Sequence, residues 1–172
     1  IWDLANGEAR VLATPDRLNY ADWSADNLVA AGSATGRIYI WKARTGQLYQ
    51  IMQTHDSQIQ QVAFNPRGDL VASVSSDGIT KFSNPWTGQV ELVFPRHMQR
   101  LSFSGDDRRV SLVSLGAGVQ SRFAFLELQA SPVLHRIEGA GNLKHAWSVA
   151  FSPDGAWLAS ASGEDGGVRL YD

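Results

Sequence analysis

The chain has 172 residues, which is enough for one domain with its own hydrophobic core. Hydrophobic residues make up 44% and charged residues 19% of it, a globular composition that excludes an intrinsically disordered chain. The net charge of −2 gives no general attraction to nucleic acid, and the absence of cysteine excludes disulfide bonds and thiolate chemistry. The sequence shows neither a signal peptide nor an apolar run of roughly 20 residues, so we expect a cytoplasmic protein without a membrane segment.

A short apolar stretch that ends in an aromatic residue occurs four times along the chain. The aromatic residues are Trp23, Phe64, Phe103 and Phe151, which follow one another at intervals of 41, 39 and 48 residues. A polar turn comes directly after each of them: SADN, NPRGD, SGDD and SPDG. These are the residue types expected where a strand reverses its direction.

Polar and apolar residues alternate in several segments between these turns, as in GRIYIW (Gly36–Trp41) and GVRLY (Gly167–Tyr171). A period of two predicts β-strands rather than helices. Short strands that recur about every 40–45 residues are typical of a β-propeller. We therefore predict an all-β fold, a β-propeller of four-stranded antiparallel blades.

In chain order, the repeat divides the sequence into a short first segment and four units. The first segment, 1–13, is either the end of a preceding blade or a closing strand (about Glu8–Ala13) for the last blade. The units cover 14–53, 54–94, 95–139 and 140–172, and at four strands a blade the chain holds about 16 strands. The four units could close on themselves. We favour a section of a larger ring, because the chain starts without methionine and both of its ends fall at the same point of the repeat.

Particular residues make this pattern resemble the WD-repeat family of β-propellers. Val149–Asp172 follows the family pattern almost position by position, with Tyr171-Asp172 at the Trp-Asp site, and Ile1–Glu8 holds a true Trp-Asp pair. Asn19–Gln47 and His55–Gln89 match less closely, and Met98–Leu128 matches weakly. The resemblance implies further blades or domains in the same chain, such as those of bacterial multidomain signalling or regulatory proteins.

The family resemblance also implies a hydrogen-bonded set in each blade, made of His, Ser or Thr, Asp and Trp. By spacing, the residues assigned to this structural set are His55, Ser73, Asp77, Ser160, Asp165 and Trp41. A buried polar network of this kind stabilises a small sheet only when all its members have partners.

No unit keeps the whole set. The unit 54–94 has Ser83 at the Trp position, and Trp86, three residues later, either fills the gap or does not. In the unit 14–53, Thr35 stands at the Asp position and Thr14 at the His position. The unit 95–139 has no recognisable set, so we expect stability to come mostly from apolar packing between blades.

The candidate catalytic patterns lack the context that their chemistry requires. His55, Asp56 and Ser57 are adjacent in sequence, whereas a catalytic triad is defined by its geometry, and no nucleophile elbow G-x-S-x-G is present. Asp106-Asp107 lies in a turn, and the four histidines are not at metal-ligand spacing. We therefore expect no enzyme activity, no metal and no cofactor.

With catalytic patterns set aside, the sequence favours a rigid platform that binds other proteins or peptides. In a propeller, the residues that open the first strand of each blade lie on one face, near the mouth of the central channel. The candidate partner-binding residues there are Arg17, Asn19, Gln58, Gln60, Arg96, Gln99, Arg100 and Trp147. The alternative is a propeller that contributes a substrate-binding face to an enzyme. Nucleic-acid binding is disfavoured by the acidic balance.

Overall fold

The computed structural model describes residues 1–95, 98–115, 121–128, 133–136, 146–162 and 167–172. These residues form fifteen β-strands in four antiparallel sheets, which we call blades 1 to 4. Blade 1 is formed by β1 (Leu18–Trp23), β2 (Leu28–Ser33), β3 (Arg37–Lys42) and β4 (Gln47–Gln53); blade 2 by β5 (Ile59–Phe64), β6 (Val71–Ser75), β7 (Thr80–Ser83) and β8 (Val90–Phe94). Blade 3 is formed by β9 (Arg100–Phe103), β10 (Arg109–Leu115), β11 (Ser121–Glu127) and β12 (Val133–Arg136); blade 4 by β13 (Ala146–Phe151), β14 (Leu158–Ser162) and β15 (Val168–Tyr171).

Each strand pairs with the strand that precedes or follows it in the chain, so every blade is a meander. This confirms the predicted all-β fold. Within the described parts of the chain, no helix is long and apolar enough to cross a lipid bilayer.

The same backbone geometry closes the first turn of all four blades. The residue four positions after each aromatic anchor has a positive φ: 60° at Asn27, 79° at Gly68, 61° at Asp107 and 72° at Gly155. Glycine adopts this left-handed conformation freely, and asparagine and aspartate tolerate it better than other residues. The turn geometry is therefore a property of the repeat, although the residue that supplies it changes.

Neighbouring blades pack face to face through residues that alternate along the strands. One face of blade 1 carries Leu28, Ile38 and Ile40, which form a buried cluster with Phe64 and Val71 of blade 2. A second cluster joins blades 2 and 3, and a third, smaller one joins blades 3 and 4. These three clusters therefore lie between the blades. A fourth cluster, which includes Tyr39 and Trp41, lies on the other face of blade 1 beside Ile1 and Leu12.

A glycine allows blades 1 and 2 to approach closely. A Cβ atom at Gly32 would lie 2.4 Å from Cγ2 of Ile59. No residue with a Cβ atom fits at this distance. Glycine at position 32 therefore allows β2 of blade 1 to lie this close to β5 of blade 2.

The first strands of the blades converge toward the centre, where side chains satisfy their free edges. The backbone N–H of Phe64 donates to Asp22 Oδ2 at 2.7 Å. Gln61 bonds to both backbone groups of Leu101: its Nε2 donates to the carbonyl oxygen at 2.9 Å, and its Oε1 accepts from the N–H at 3.0 Å. The first strands of blades 1 and 2 thus present side chains that complete the backbone hydrogen bonds of the first strand of the next blade.

The first segment of the chain lies against blade 1. Ile1–Asp3 and Glu8–Arg10 form a small hairpin with a single bridge between Trp2 and Ala9, and Arg10 Nη1 donates to the carbonyl oxygen of Arg44 at 2.8 Å. This segment sits beside blade 1, and β15 is the last described strand of blade 4. The two interpretations of 1–13, the end of a preceding blade or a closing strand, both stay predictions.

Contacts between the described parts of the blades run in series along the chain. Close contacts link β1 and β2 to β5, β5 to β9, and β9 and β10 to β13. Among the described residues, no comparable contact joins blade 4 to blade 1. Fifteen strands are described where the sequence predicted about 16. The difference is Glu8–Ala13, which makes a single bridge at Ala9 and no ladder with a neighbouring strand.

Replacing Gln61 with leucine tests the inner hydrogen bonds. Leucine leaves the buried N–H and C=O of Leu101 without partners, so we expect the free energy of unfolding to fall by about 2 kcal/mol in urea denaturation. The matched control is Gln60→Leu on the same strand, whose hydrogen bond goes to the exposed Ser76. We expect the control to change stability by no more than about 0.5 kcal/mol. Equal effects of the two variants would contradict this role of Gln61.

Candidate functional site

The connections that lead into the first strands lie beside the turns between the second and third strands of the same blades. The N–H of Ala34 donates to the carbonyl oxygen of Arg17 at 2.9 Å in blade 1, and the N–H of Ser76 donates to that of Gln58 at 2.9 Å in blade 2. Arg17 and Gln58 are each six residues before their aromatic anchors. We call this end of the blades the top face, defined by Arg17–Asn19, Ala34, Gln58–Gln60, Ser76 and Gln99–Arg100.

The structure places six of the eight candidate partner-binding residues on this face with described side chains. The exposed residues are Arg17, Asn19, Gln58 and Arg100. The half-buried residues are Gln60 and Gln99. Trp147 lies in β13, four residues before its anchor, but its side chain is outside the described part of the structure. Arg96 also lies outside the described residues.

Some of these side chains hold the face together rather than remaining free. Asn19 Nδ2 donates to the carbonyl oxygen of Ile59 at 3.4 Å and so ties blade 1 to blade 2. Gln60 Nε2 donates to Ser76 Oγ at 3.0 Å. By contrast, the side chains of Arg17 and Gln58 form no hydrogen bond with any described residue, so both are free to bind a partner.

A buried hydrogen-bonded set lies beneath the top face in blade 2. Nδ1 of His55 lies 2.8 Å from Asp77 Oδ2, and Nε2 lies 2.8 Å from Ser73 Oγ. The structure thus brings together the three residues that the sequence assigned to this set. With a neutral ring, Nδ1–H donates to the carboxylate and Nε2 accepts the hydroxyl proton of Ser73.

The burial of the ring determines the charge of His55. Burial lowers the pKa of the imidazole below its usual value, and the opposing effect of Asp77 does not compensate. For Asp77, burial acts to raise the pKa, but the hydrogen bond from His55 and further hydrogen bonds lower it overall. The pair is therefore a neutral histidine beside a carboxylate near neutral pH.

The other predicted members of the set are only partly brought together. Ser160 Oγ donates to the hydroxyl of Tyr171 over a long 3.5 Å, and Asp165 lies outside the described residues. Trp41 is buried and stacks on Tyr39, with 5.7 Å between the ring centroids.

Ser83 leaves a gap in blade 2 that Trp86 does not fill. Ser83 is fully buried, and its Oγ has no hydrogen-bond partner. Trp86 instead packs edge-to-face on Tyr49 of blade 1, with 5.6 Å between the centroids. The position that holds the indole of Trp41 in blade 1 thus holds only a hydroxymethyl group in blade 2.

The sequence reasoning missed the polar centre of blade 1, which is Asp16. Its Oδ2 accepts hydrogen bonds from Thr35 Oγ1 and from the hydroxyl of Tyr39, both at 2.7 Å, and lies 3.4 Å from Arg37 Nη1. The hydrogen bonds from Thr35 and Tyr39 hold the pKa of Asp16 below its usual value. Asp16 therefore does in blade 1 what His55 does in blade 2. By spacing, Thr14 stands at the His position of this blade, but the group that reaches the turn is the carboxylate two residues later.

The described residues contain no group of three or more His, Cys, Asp or Glu that could hold a metal ion. Apart from the set around His55, the polar side chains of the top face are exposed or half-buried. The described arrangement is suited to contact with another molecule over a surface.

Four-stranded antiparallel meanders that pack face to face around converging first strands define a β-propeller. Comparison with known families gives the particular class. Residues 21–114, more than half of the chain, match the model described as "Anaphase-promoting complex subunit 4 WD40 domain", and residues 133–172 match "WD domain, G-beta repeat". The chain belongs to the WD-repeat family of β-propellers, which confirms the resemblance seen in the sequence.

Two curated relatives and one solved structure extend this comparison. The chain is 27% identical over 188 residues to the Periodic tryptophan protein 2 homolog of Schizosaccharomyces pombe, covering 95% of this chain and 21% of the relative. It is 27% identical over 158 residues to WD repeat-containing protein SL1-17 of Schistosoma mansoni, covering 87% of this chain and 48% of the relative. The Cps50 (Swd1) β-propeller domain of Myceliophteria thermophila has a TM-score of 0.75 at 17% identity, over 89% of this chain and 50% of that one.

The chain spans about a fifth of the first of these relatives and about half of the other two proteins. Both curated relatives come from eukaryotes, so the expectation of a bacterial source is not borne out.

Replacing Tyr39 with phenylalanine tests the centre at Asp16. The variant removes only the buried hydroxyl that donates to the carboxylate, so we expect the melting temperature to fall by about 2–4 °C. Tyr49→Phe is the matched control, because its hydroxyl lies at the surface and makes a long 3.4 Å bond to the carbonyl of Trp86. A melting temperature of Tyr39→Phe equal to that of the control would show that the Asp16 centre contributes nothing.

The lowered pKa of His55 makes stability depend on pH. The unfolded chain binds the proton more tightly than the folded one, so stability is full above the unfolded value of about 6.5 and is lost as the pH falls below it. We expect the free energy of unfolding to decrease with acidification by at most about 1.4 kcal/mol per pH unit from this residue. Urea denaturation of the wild type and of His55→Gln between about pH 8 and about pH 5 isolates the effect. We expect the stability advantage of the wild type over His55→Gln to shrink toward acid pH. An advantage that stays constant or increases would contradict this role of His55.

Proposed function

We propose that this chain is part of a protein-interaction platform whose top face binds a segment of another protein. The observation that carries this proposal is the pair of exposed, unbonded side chains of Arg17 and Gln58 on neighbouring blades. Arginine is enriched among the residues that dominate binding energy, and an amide can pair with a partner's backbone. Hydrogen bonds from the turns to the backbones of both residues hold them in place before binding.

Rigidity of the platform supports the proposal. Asn19 and the set around His55 tie the loops of the top face to the strands below them. A surface that is already ordered loses little conformational entropy on binding, so more of the contact energy appears as affinity. The family match points the same way, because the model that covers residues 21–114 describes a WD40 domain in a subunit of a complex.

The exposed side chains indicate the chemistry of the partner segment. Arg17 and Arg100 offer guanidinium groups on separate blades, and Gln58 lies between them in chain order. A segment with a carboxylate and free backbone amides would satisfy all three. The acidic balance of the whole chain agrees with protein as the partner rather than nucleic acid.

A photo-crosslinking residue at position 58 tests the location of the site. We expect crosslinks to a partner from this position and none from the same residue placed at position 25, which is exposed in the first turn at the opposite end of blade 1. The partner that is captured then serves for the affinity measurement described next.

Arg17→Ala should weaken the binding of that partner by tenfold or more, or about 1.4 kcal/mol. Arg108→Ala is the matched control, because it removes an exposed arginine from a turn at the opposite end of blade 3. Isothermal titration would measure both. Equal losses in the two variants, or crosslinks mainly from position 25, would contradict the proposed face.

A further inference from the structure

A cavity of about 400 Å³ lies on the inner side of blades 1 to 3, at the end opposite to the top face. Strands β1, β5 and β9 line it, and the first turns of blades 1 and 2 contribute Ala25, Asn65 and Pro66. We call it the inner cavity. Its walls come from three consecutive blades, so its shape follows from the packing between blades inside the chain. Its volume is in the range of small-ligand sites.

The inner cavity carries a negative charge that nothing in its lining balances. Of the described residues that line it, Asp22 is the only one with a formal charge. The side chain of Asp22 is half-buried and forms no ion pair with any described residue. By contrast, Asp16 and Asp107 each lie within ion-pair distance of an arginine. A cation that enters the inner cavity would therefore meet an unpaired carboxylate.

The backbone of blade 2 holds this carboxylate in place. The N–H of Phe64 donates to Asp22 Oδ2 at 2.7 Å, whereas Oδ1 forms no hydrogen bond with a described residue. One oxygen is thus anchored, and the other is available to a ligand. Because the side chain is already oriented, little conformational entropy is lost when it binds.

Tyr20 places a second free oxygen atom beside the carboxylate. Tyr20 and Asp22 are two residues apart on β1, so their side chains lie on the same face of the strand. Tyr20 is 39% exposed, and its hydroxyl forms no hydrogen bond with any described residue. The lining therefore offers a charged and a neutral acceptor close together.

The amide side chains in the lining are engaged elsewhere. Gln61 bonds to both backbone groups of Leu101, and Asn65 Nδ2 donates to Asp69 Oδ1 at 2.7 Å. Neither amide is hydrogen-bonded to Asp22, so neither occupies the free carboxylate oxygen. The donor that this oxygen lacks has to come from a ligand.

Aromatic rings complete the lining. Tyr20 and Trp23 come from blade 1, and Phe103 comes from blade 3. The face of an aromatic ring attracts a cation within about 6 Å of its centroid, and the ring also packs against an alkyl chain. The combination of a carboxylate and aromatic rings suits a cation with a short apolar tail.

We propose that the inner cavity binds a small organic cation that carries a primary ammonium group on a short alkyl chain. The ammonium group donates to Asp22 Oδ1, with the Tyr20 hydroxyl as a further acceptor, and the alkyl chain packs on the rings. Because Oδ2 already accepts the N–H of Phe64, only one carboxylate oxygen is free. This arrangement favours ammonium over guanidinium, whose two-pronged geometry fits two free oxygens. The site is separate from the top face and does not rest on the function proposed there.

Titration with n-butylammonium chloride, followed by NMR of the ¹⁵N-labelled chain at low ionic strength, tests the site. We expect a saturable shift of the Phe64 amide signal, because its N–H donates to the carboxylate that binds the ligand. n-Butanol, which has the same alkyl chain without the charge, should not produce this shift. A wild type without a saturable shift at Phe64, or an equal response to n-butanol, overturns the proposal.

Asp22→Asn separates charge from structure, because the asparagine oxygen can still accept the N–H of Phe64. We expect the dissociation constant of n-butylammonium to rise at least about tenfold. Tyr20→Leu keeps the carboxylate and should raise it at least about threefold. The matched control is Asp26→Asn, which removes an exposed carboxylate of the first turn outside the cavity and should change it less than about twofold. An unchanged constant in Asp22→Asn, or an equal rise in the control, overturns the site.

Two further probes test the chemical class of the ligand. We expect n-butylguanidinium to bind at least about threefold more weakly than n-butylammonium. A blocked glycyl-lysyl-glycine peptide, which carries the same ammonium group on a protein backbone, should bind no more tightly than n-butylammonium. Tighter binding of the guanidinium would overturn the preference for ammonium. Binding of the peptide at least about tenfold more tightly would overturn the assignment to a small ion and favour a lysine of a protein segment.

Discussion

The structure depends on one constraint: a single four-stranded sheet has two apolar faces and cannot cover either of them alone. The buried clusters between neighbouring blades therefore each contain residues from two blades, such as Ile40 with Phe64 between blades 1 and 2. The constraint sets the spacing as well, because Gly32 leaves room only for the side chain of Ile59. It also explains why Trp23 and Leu170, at equivalent positions to buried residues, are exposed at the two ends of the series.

Packing of the faces brings the first strands together and creates a second requirement. These strands are the edges of their sheets, so their outer backbone groups have no strand partner. Side chains of the preceding blade, Asp22 and Gln61, bond to these groups in blades 2 and 3. Apolar faces thus hold the blades together, and polar side chains fix their relative register. The top face inherits its rigidity from both.

The polar centres of blades 1 and 2 show that the requirement is for satisfied hydrogen bonds rather than for particular residues. His55 sits between Asp77 and Ser73 in blade 2, whereas in blade 1 the acceptor is Asp16. Both link the top loops to the strands. Ser83 shows the cost of partial replacement, because its hydroxyl is buried without a partner.

The sequence by itself determined the repeat, the strands, the turns and the family. Aromatic anchors, turn residues and a period of two are local signals, and each repeat restates them. It also located His55, Ser73 and Asp77, because their spacing along the chain is constant within the family pattern. Gly68 and Gly155 are residues of the usual type for a left-handed turn position, and Asn27 and Asp107 adopt the same geometry.

Only the tertiary structure decided where polar groups find partners across the repeat. Asp16, which the sequence pattern did not indicate, is the polar centre of blade 1, and Trp86 packs on Tyr49 instead of filling the gap at Ser83. The hairpin at Ile1–Arg10 lies against blade 1 through the hydrogen bond from Arg10 to Arg44. These outcomes depend on which surfaces meet in space, because a side chain bonds to a partner that lies within hydrogen-bonding or packing distance. The spacing of residues along the sequence contains no information on distances between blades.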